Sequence, residues 1–240
     1  MKFQQFFHPI SLRRDLRRLM REKFKAYLKT DMVVYDIGCG SKPFQDDLKN
    51  KVEKHIGVDI EDGFYNDGNV DIIGTAYEVP VDEGVADAVI SSQVIEHLER
   101  PIDAIKEANR LLKIDGLFFL SFPFLYPLHA APYDYMRYTE FYIRNVLEEN
   151  GFEVVEYDHL GGFWYTLGVF FEIYLNAFNR GILKKLYLLV FVRWIIQSIL
   201  YTFHVLEKFG LKLLGKDPDN SREHWTVNQV LVVRKTKPIS

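Results

Sequence analysis

Cysteine is nearly absent: Cys39 is the single one in 240 residues. That excludes a disulfide framework and fits a reducing compartment. A dominant charge is missing too, since 30 basic residues stand against 33 acidic ones for a net of −3. The chain as a whole therefore has no bias toward nucleic acid. The first residues lack an apolar core segment with a small-residue cleavage site, so no secretory signal is expected and a cytoplasmic location is. No Gly-Lys-Ser/Thr occurs, and the Gly-x-Gly that follows the first apolar run lacks the third glycine of the dinucleotide-binding pattern. Internal repeats and low-complexity segments are also missing.

What is present begins with Val33-Val34-Tyr35-Asp36-Ile37-Gly38-Cys39-Gly40. A buried strand that empties into a glycine turn reads this way. Gly38 and Gly40 allow a tight turn and close approach of backbone to ligand, and ligands of doubly wound α/β folds bind at such strand ends. Cys39 reads as a small residue that fits the turn. His55-Ile56-Gly57-Val58-Asp59 is a second strand ending in an acid. An acid about twenty residues past the glycines can accept hydrogen bonds from both ribose hydroxyls of a nucleoside cofactor.

Further strands are expected at Val70–Ile73, Ala86–Ser91, Leu117–Ser121, Phe152–Tyr157 and Gln229–Arg234. The short link from Ile60 to Asn69 leaves room for a loop rather than a crossover helix. Pro101 suits the first turn of a helix whose apolar face is Ile102, Ile105, Ala108, Leu111 and Leu112, with Gly116 as its left-handed end. Thr139 caps the next helix and Gly151 ends it. Strands alternating with helices predict an α/β fold with a mostly parallel sheet.

Residues 1–30 read as a basic N-terminal helix, with Leu12, Leu16, Leu19, Phe24 and Leu28 on one face and Arg13, Arg14, Arg17, Arg18, Arg21, Lys23 and Lys25 on the other. Residues 161–223 form a hydrophobic insert, with helices over Phe163–Asn179 and Ile182–Lys208 joined at Arg180-Gly181. Arg193, Gln197, Tyr201, His204 and Lys208 make one narrow polar stripe, and Glu172, Asn176 and Asn179 make another. Arg193 at mid-span argues against a membrane-crossing hairpin. The apolar arcs are expected to meet a membrane interface, a lipid-linked acceptor, a second copy through 163–214, or the chain's own acceptor pocket.

Residues 33–157, with the last strand, resemble class I S-adenosylmethionine-dependent methyltransferases of the subgroup that includes ubiquinone and glycan methyltransferases. Asp36-Ile37-Gly38-Cys39-Gly40 is similar to the glycine motif, Asp59 to the ribose acid, Val94-Ile95-Glu96-His97-Leu98 to the Leu-Glu-His signature, and Leu111-Leu112-Lys113-Ile114-Asp115-Gly116 to the turn before the fifth strand. The resemblance implies a Rossmann-like seven-stranded sheet of order 3-2-1-4-5-7-6, strand seven antiparallel, over residues 31–160 and 224–240. It implies S-adenosyl-L-methionine as cofactor, with contacts at Asp36, Gly38, Cys39, Gly40, Asp59, Ile60, Ala76 and Gln93. An acid that many relatives carry after the third strand is replaced here by Thr75-Ala76.

The loop after the fifth strand more weakly resembles methyltransferases of cell-surface glycan synthesis. His129 is the expected base for a hydroxyl acceptor, Asp134 its orienting partner, and Arg137 a holder of an anionic acceptor. No metal site is expected, because adjacent Glu96 and His97 would not share a helix face. Lys42 reads as a solvated lysine more readily than as a partner for the cofactor carboxylate. The acceptor is a small molecule, glycan or lipid-linked intermediate. The rival reading is an inactive Rossmann-like binding protein that uses the insert to assemble.

Overall fold

The computed structural model describes residues 10–63, 69–178, 188–216 and 220–239. Two units emerge from the packing. One comprises Met1–Arg18 and His159–Asn228, the other Leu19–Asp158 and Gln229–Ser240.

The second unit holds the body of a seven-stranded sheet of order β3-β2-β1-β4-β5-β7-β6. Its strands are β1 (Val33–Ile37), β2 (Lys54–Asp59), β3 (Ile72–Ile73), β4 (Ala86–Ser92), β5 (Leu112–Pro123), β6 (Phe152–Gly161) and β7 (Thr226–Lys235). β1 pairs in parallel with β2 and β4, β2 with β3, and β4 with β5. The sheet order is the expected one.

Burial on both faces explains the continuous apolar run in β5. Successive strand residues point to opposite faces. Phe118, Leu120 and Phe122 face one layer, where they join Ile105 and Leu111 of α3 (Pro101–Leu111) and Ile143 and Leu147 of α4 (Glu140–Glu149). Phe119 faces the other, edge-on to Phe24, which is itself edge-on to Phe44. Phe24 belongs to α1 (Leu12–Tyr27), whose apolar members Leu16, Met20 and Phe24 are all buried. α1 is therefore a covering helix. Lys23, expected on its cationic side, is buried too and pairs with Glu156 and Asp158. A short helix α2 (Gln45–Leu48) follows the glycine turn.

Details of the connections depart from expectation. Helix α3 ends at Leu111 and the chain is extended at Leu112. The left-handed residue of that turn is Asp115, with φ 63°, rather than Gly116. Gly116 is needed for space instead, because a Cβ there would lie 2.8 Å from the carbonyl of Lys113. Register between β4 and β5 shifts at this point, from Ala86 opposite Leu112 to Ala88 opposite Leu117. Thr139 precedes α4 without a side-chain capping bond, whereas Gly151 does end that helix, at φ 78°. Strands β6 and β7 run longer than their hydrophobic cores predict.

In the first unit, α5 (Phe163–Phe178) and α6 (Leu188–Leu213) pack antiparallel, with Trp164 stacked on Phe203 and Tyr165 against His204. The expected turn at Arg180-Gly181 lies outside the described residues, as does the start expected at Ile182. A short α7 (Asn220–His224) leads into β7. Gly168 packs so closely on Ile10 that a Cβ would lie 2.3 Å from it, and the Tyr165 hydroxyl donates to buried Asp15 at 3.0 Å.

Members of the two polar stripes meet between the helices, while Asn179 lies outside the described residues. Glu172 accepts from Gln197 at 3.0 Å and from Arg193 at 3.2 Å, and Gln197 and His204 are buried. Tyr201 leaves the stripe and is exposed. Outward-facing residues include Phe170, Tyr174, Phe191, Trp194, Ile199, Phe209 and Leu213. Among the described residues, no helix is long and apolar enough to cross a membrane.

Candidate active site

The carboxyl ends of β1, β2, β4 and β5 carry two groups of predicted residues, all within the sheet unit.

The first group surrounds the glycine turn. Gly38 and Gly40 have φ of 70° and 49°, the left-handed region that glycine enters without steric cost. A Cβ on Gly38 would lie 2.5 Å from the side chain of Val94. Asp59 ties the turn to β2: one carboxylate oxygen accepts from Gly40 N at 2.6 Å, the other from Ile60 N at 2.8 Å. Each oxygen retains acceptor capacity, and Asp59 is partly exposed while Ile60 beside it is open to solvent. Gln93, at the end of β4, also has a positive φ, 60°. Its amide donates to the Ser121 carbonyl at 2.8 Å, and its side chain lies 3.3 Å from the Ser121 hydroxyl. Such strain in a bulky residue concentrates at functional sites. Ala76 packs against the core just after Thr75, whose hydroxyl caps Tyr77 and Glu78.

Other members of this group serve the turn from beneath. Asp36 is sealed at 2 % exposure and meets His55 Nε2 at 3.1 Å. Burial raises its carboxyl above the ordinary range, against the pull of His55. Burial, with Asp36 and Asp59 nearby, pushes the Cys39 thiol up to about 12, which makes it inert as a nucleophile. Lys42 is buried rather than solvated, and its ammonium pairs with Asp71 and with the His55 carbonyl. Asp71 lies beyond the loop after β2, a partner that spacing alone does not reveal.

The second group gathers on the 3₁₀ turn Ile95–His97 and the loop after β5. Arg137 forks onto Asp134, with Nη2 2.8 Å from Oδ2 and Nη1 on Oδ1. The guanidinium also reaches the carbonyls of Met136, Tyr126 and Pro127. Its fork is thus directed at Asp134 instead of outward to an anion. That contact holds the Asp134 carboxyl well below the usual range. Asp134 in turn accepts from His129 N at 2.9 Å and lies 3.1 Å from His129 Nδ1. Burial lowers the His129 pKa, which keeps its imidazole neutral near pH 7.

Glu96 and His97 were expected to diverge. A 3₁₀ turn and the folded-back loop bring them together with His129. Glu96 is fully buried, and burial pushes its pKa up to about 8. Its Oε1 lies 3.7 Å from His97 Nε2 and 3.9 Å from His129 Nε2. The two imidazoles pack edge to face at 4.7 Å. The buried Tyr138 hydroxyl donates to the Ile95 carbonyl at 3.1 Å, pinning the turn. A wide surface cavity lined by Glu83, Arg110, Lys113 and Lys235 contains none of the predicted site residues.

The sequence model of a methyltransferase domain matches residues 35–120. A protein of Mycolicibacterium smegmatis described as a probable S-adenosylmethionine-dependent methyltransferase is 29% identical over 154 residues, 57% of this chain and 54% of that protein. The chain thus spans about half the length of this curated relative. Among solved structures, the fold is similar to that of an S-adenosylmethionine-dependent methyltransferase from Archaeoglobus fulgidus, with TM-score 0.55 and 18% identity over 91% of this chain and 94% of that one. It is also similar to one from Mesorhizobium loti, with TM-score 0.55 and 11% identity over 89% and 96%. Sheet order, glycine turn, domain match and curated relative agree: residues 35–120 match a methyltransferase domain, and the chain has the fold of S-adenosylmethionine-dependent methyltransferases.

Proposed function

We propose that the chain transfers a methyl group from S-adenosylmethionine to an acceptor hydroxyl. The observation that carries this reading is Asp59: its carboxylate braces the Gly40 amide while keeping lone pairs free beside an open strand end. The residues fit the cofactor. A side chain at Gly38 would collide with Val94, so the turn keeps its backbone bare. Gly38, Cys39 and Gly40 would present backbone to the cofactor, and Asp59 would accept from the ribose hydroxyls. Ile60 and Ala76 would flank the adenine, with Gln93 toward the reacting end. Asp36 would act through the turn it underlies. When bound, the cofactor supplies a methyl group on a sulfonium, and the protein supplies position and a dry site. Neutral His129, oriented by Asp134 and Arg137, offers a lone pair for the acceptor proton.

The acceptor reading extends to a glycan or lipid-linked intermediate handled at a membrane surface. Support comes from the hairpin, many of whose apolar residues are exposed, and from exposed Arg13, Arg14 and Arg18 in the same unit. Apolar and cationic surface together suit an anionic lipid interface.

Calorimetry with S-adenosylhomocysteine tests the cofactor site, and a mass gain of one methyl on incubated acceptors tests transfer. Binding without turnover on any acceptor would favour the inactive assembly protein. Flotation with anionic liposomes tests the surface: salt should weaken the electrostatic part of the association and leave the apolar part.

A further inference from the structure

Two histidine rings are fixed so that the same nitrogen of each points at one carboxylate. His97 Nδ1 lies 2.6 Å from the Tyr133 carbonyl, an acceptor, so that nitrogen carries the proton. His129 Nδ1 lies 3.1 Å from the Asp134 carboxylate, within ion-pair range though not in a hydrogen bond. His97 Nε2 is then a bare lone pair, and the Nε2 atoms of both rings face Glu96 Oε1, at 3.7 and 3.9 Å. These distances are too long for a hydrogen bond. Neither Glu96 oxygen has a hydrogen-bond partner among the described residues, though the side chain is fully buried. Two imidazole nitrogens and a buried carboxyl group without a hydrogen-bond partner converge here, an arrangement that a cation would satisfy.

The three ligand atoms lie within 4.8 Å of one another. Two ligands on a tetrahedral ion at bond lengths of about 2.1 Å stand roughly 3.4 Å apart, so the two Glu96–histidine distances need to close by a few tenths of an ångström, and the longest ligand-to-ligand separation, up to 4.8 Å, by more than an ångström. Two imidazoles and one carboxylate suit a first-row divalent ion and leave coordination open for a further ligand. Carbonyl or carboxylate behind each metal-ligating imidazole is the usual support for such a site; here Tyr133 O bonds His97, and the Asp134 carboxylate lies 3.1 Å behind His129.

We propose that Glu96, His97 and His129 bind a divalent first-row transition cation with a position open to an acceptor oxygen. The ion site stands on its own geometry, while its catalytic use rests on the methyl-transfer reading. In that use the ion, rather than His129 as a base, activates the acceptor. The hydroxyl proton leaves to water, and the oxygen's electron pair forms the bond to the methyl carbon. The carbon–sulfur bond breaks with its pair returning to sulfur.

The full chain, stripped with a chelator, is titrated with Zn²⁺ or Mg²⁺ in a calorimeter and with Co²⁺ in a visible spectrometer. S-adenosylhomocysteine binding is measured on the same samples. One equivalent of Zn²⁺ or Co²⁺ is expected, with ligand-field bands for Co²⁺. Glu96→Gln should weaken binding at least 100-fold, and Asp134→Asn, which touches His129 only from behind, about 10–100-fold. Absence of transition-ion binding in protein that still binds S-adenosylhomocysteine overturns the site. So does Zn²⁺ affinity unchanged in Glu96→Gln, or a site that takes only Mg²⁺. Should Glu96→Gln fail to melt cooperatively, His97→Ala is read in its place, and unchanged affinity there is equally fatal. An ion bound without S-adenosylhomocysteine would support the site and refute the methyl-transfer reading.

Discussion

At the centre of the sheet unit stand Phe118, Leu120 and Phe122, sealed from water, while Glu172, Arg193 and Gln197 stand at the centre of the helical pair. Both regions are rich in apolar residues, yet they dispose of them in opposite ways. In the sheet, polar groups collect at strand ends, where Asp59, Gln93 and Ser121 lie around the proposed cofactor site. In the hairpin, Glu172, Arg193 and Gln197 join the helices to each other, and many aromatics, Tyr174, Phe191 and Phe209 among them, are exposed. Half-burying the Glu172 carboxylate between helices is offset by the arginine and the amide that meet it. The contrast teaches that hydrophobic content does not report where a core is. The direction of the polar stripe does.

Substitutions at matched positions can break this contrast. Phe122→Ala removes a ring that packs edge-on to Tyr138 at 5.4 Å. It should destabilise the protein by about 3–5 kcal/mol, read by chemical denaturation. A loss below about 1 kcal/mol would mean that the sheet core is looser than its packing implies. Glu172→Ala leaves Arg193 and Gln197 without their shared acceptor, and about 1–3 kcal/mol should be lost. Cofactor affinity should be untouched, so calorimetry that shows weakened binding would refute the separation of roles.

Asp59→Ala makes the converse demand. It should cost about 1–3 kcal/mol of cofactor affinity, the scale of hydrogen bonds to a charged group. Unaltered affinity in folded protein would remove Asp59 from the site. The smallest stability change belongs to Phe209→Ser combined with Leu213→Ser, since both side chains are well exposed. Melting should shift by no more than about 0.5 kcal/mol per site, while liposome flotation falls. Flotation equal to the unmodified chain would leave the outward face without a lipid partner.

Much of the sheet could be read beforehand, because several strands are short apolar runs closed by glycine or an acid. Val33 to Gly40 is the plainest example. The Gly116 turn was harder: glycine suggests a left-handed helix end, but Asp115 takes that conformation and Gly116 makes room for the Lys113 carbonyl. Partnerships across loops were hidden as well. Nothing near Lys42 in sequence announces Asp71, and the solvated reading failed for that reason. Periodicity exposed the stripe from Arg193 to His204 but carries no information on whether a stripe faces water or another helix. The Glu96-His97 pair was dismissed on α-helical angles, and the chain forms a 3₁₀ turn there instead.

Strand β7 lies between β5 and β6 in the sheet, although it is made after both and after the hairpin. On a ribosome, β6 therefore emerges with no neighbour to pair with, and β5 has one open edge. Both wait while the apolar hairpin is translated. Open edges and exposed apolar helices at the same moment invite association with whatever is near. Nascent chains arrested before Thr226 should accordingly recruit chaperones or lipid, and release them once residues 226–235 clear the exit tunnel.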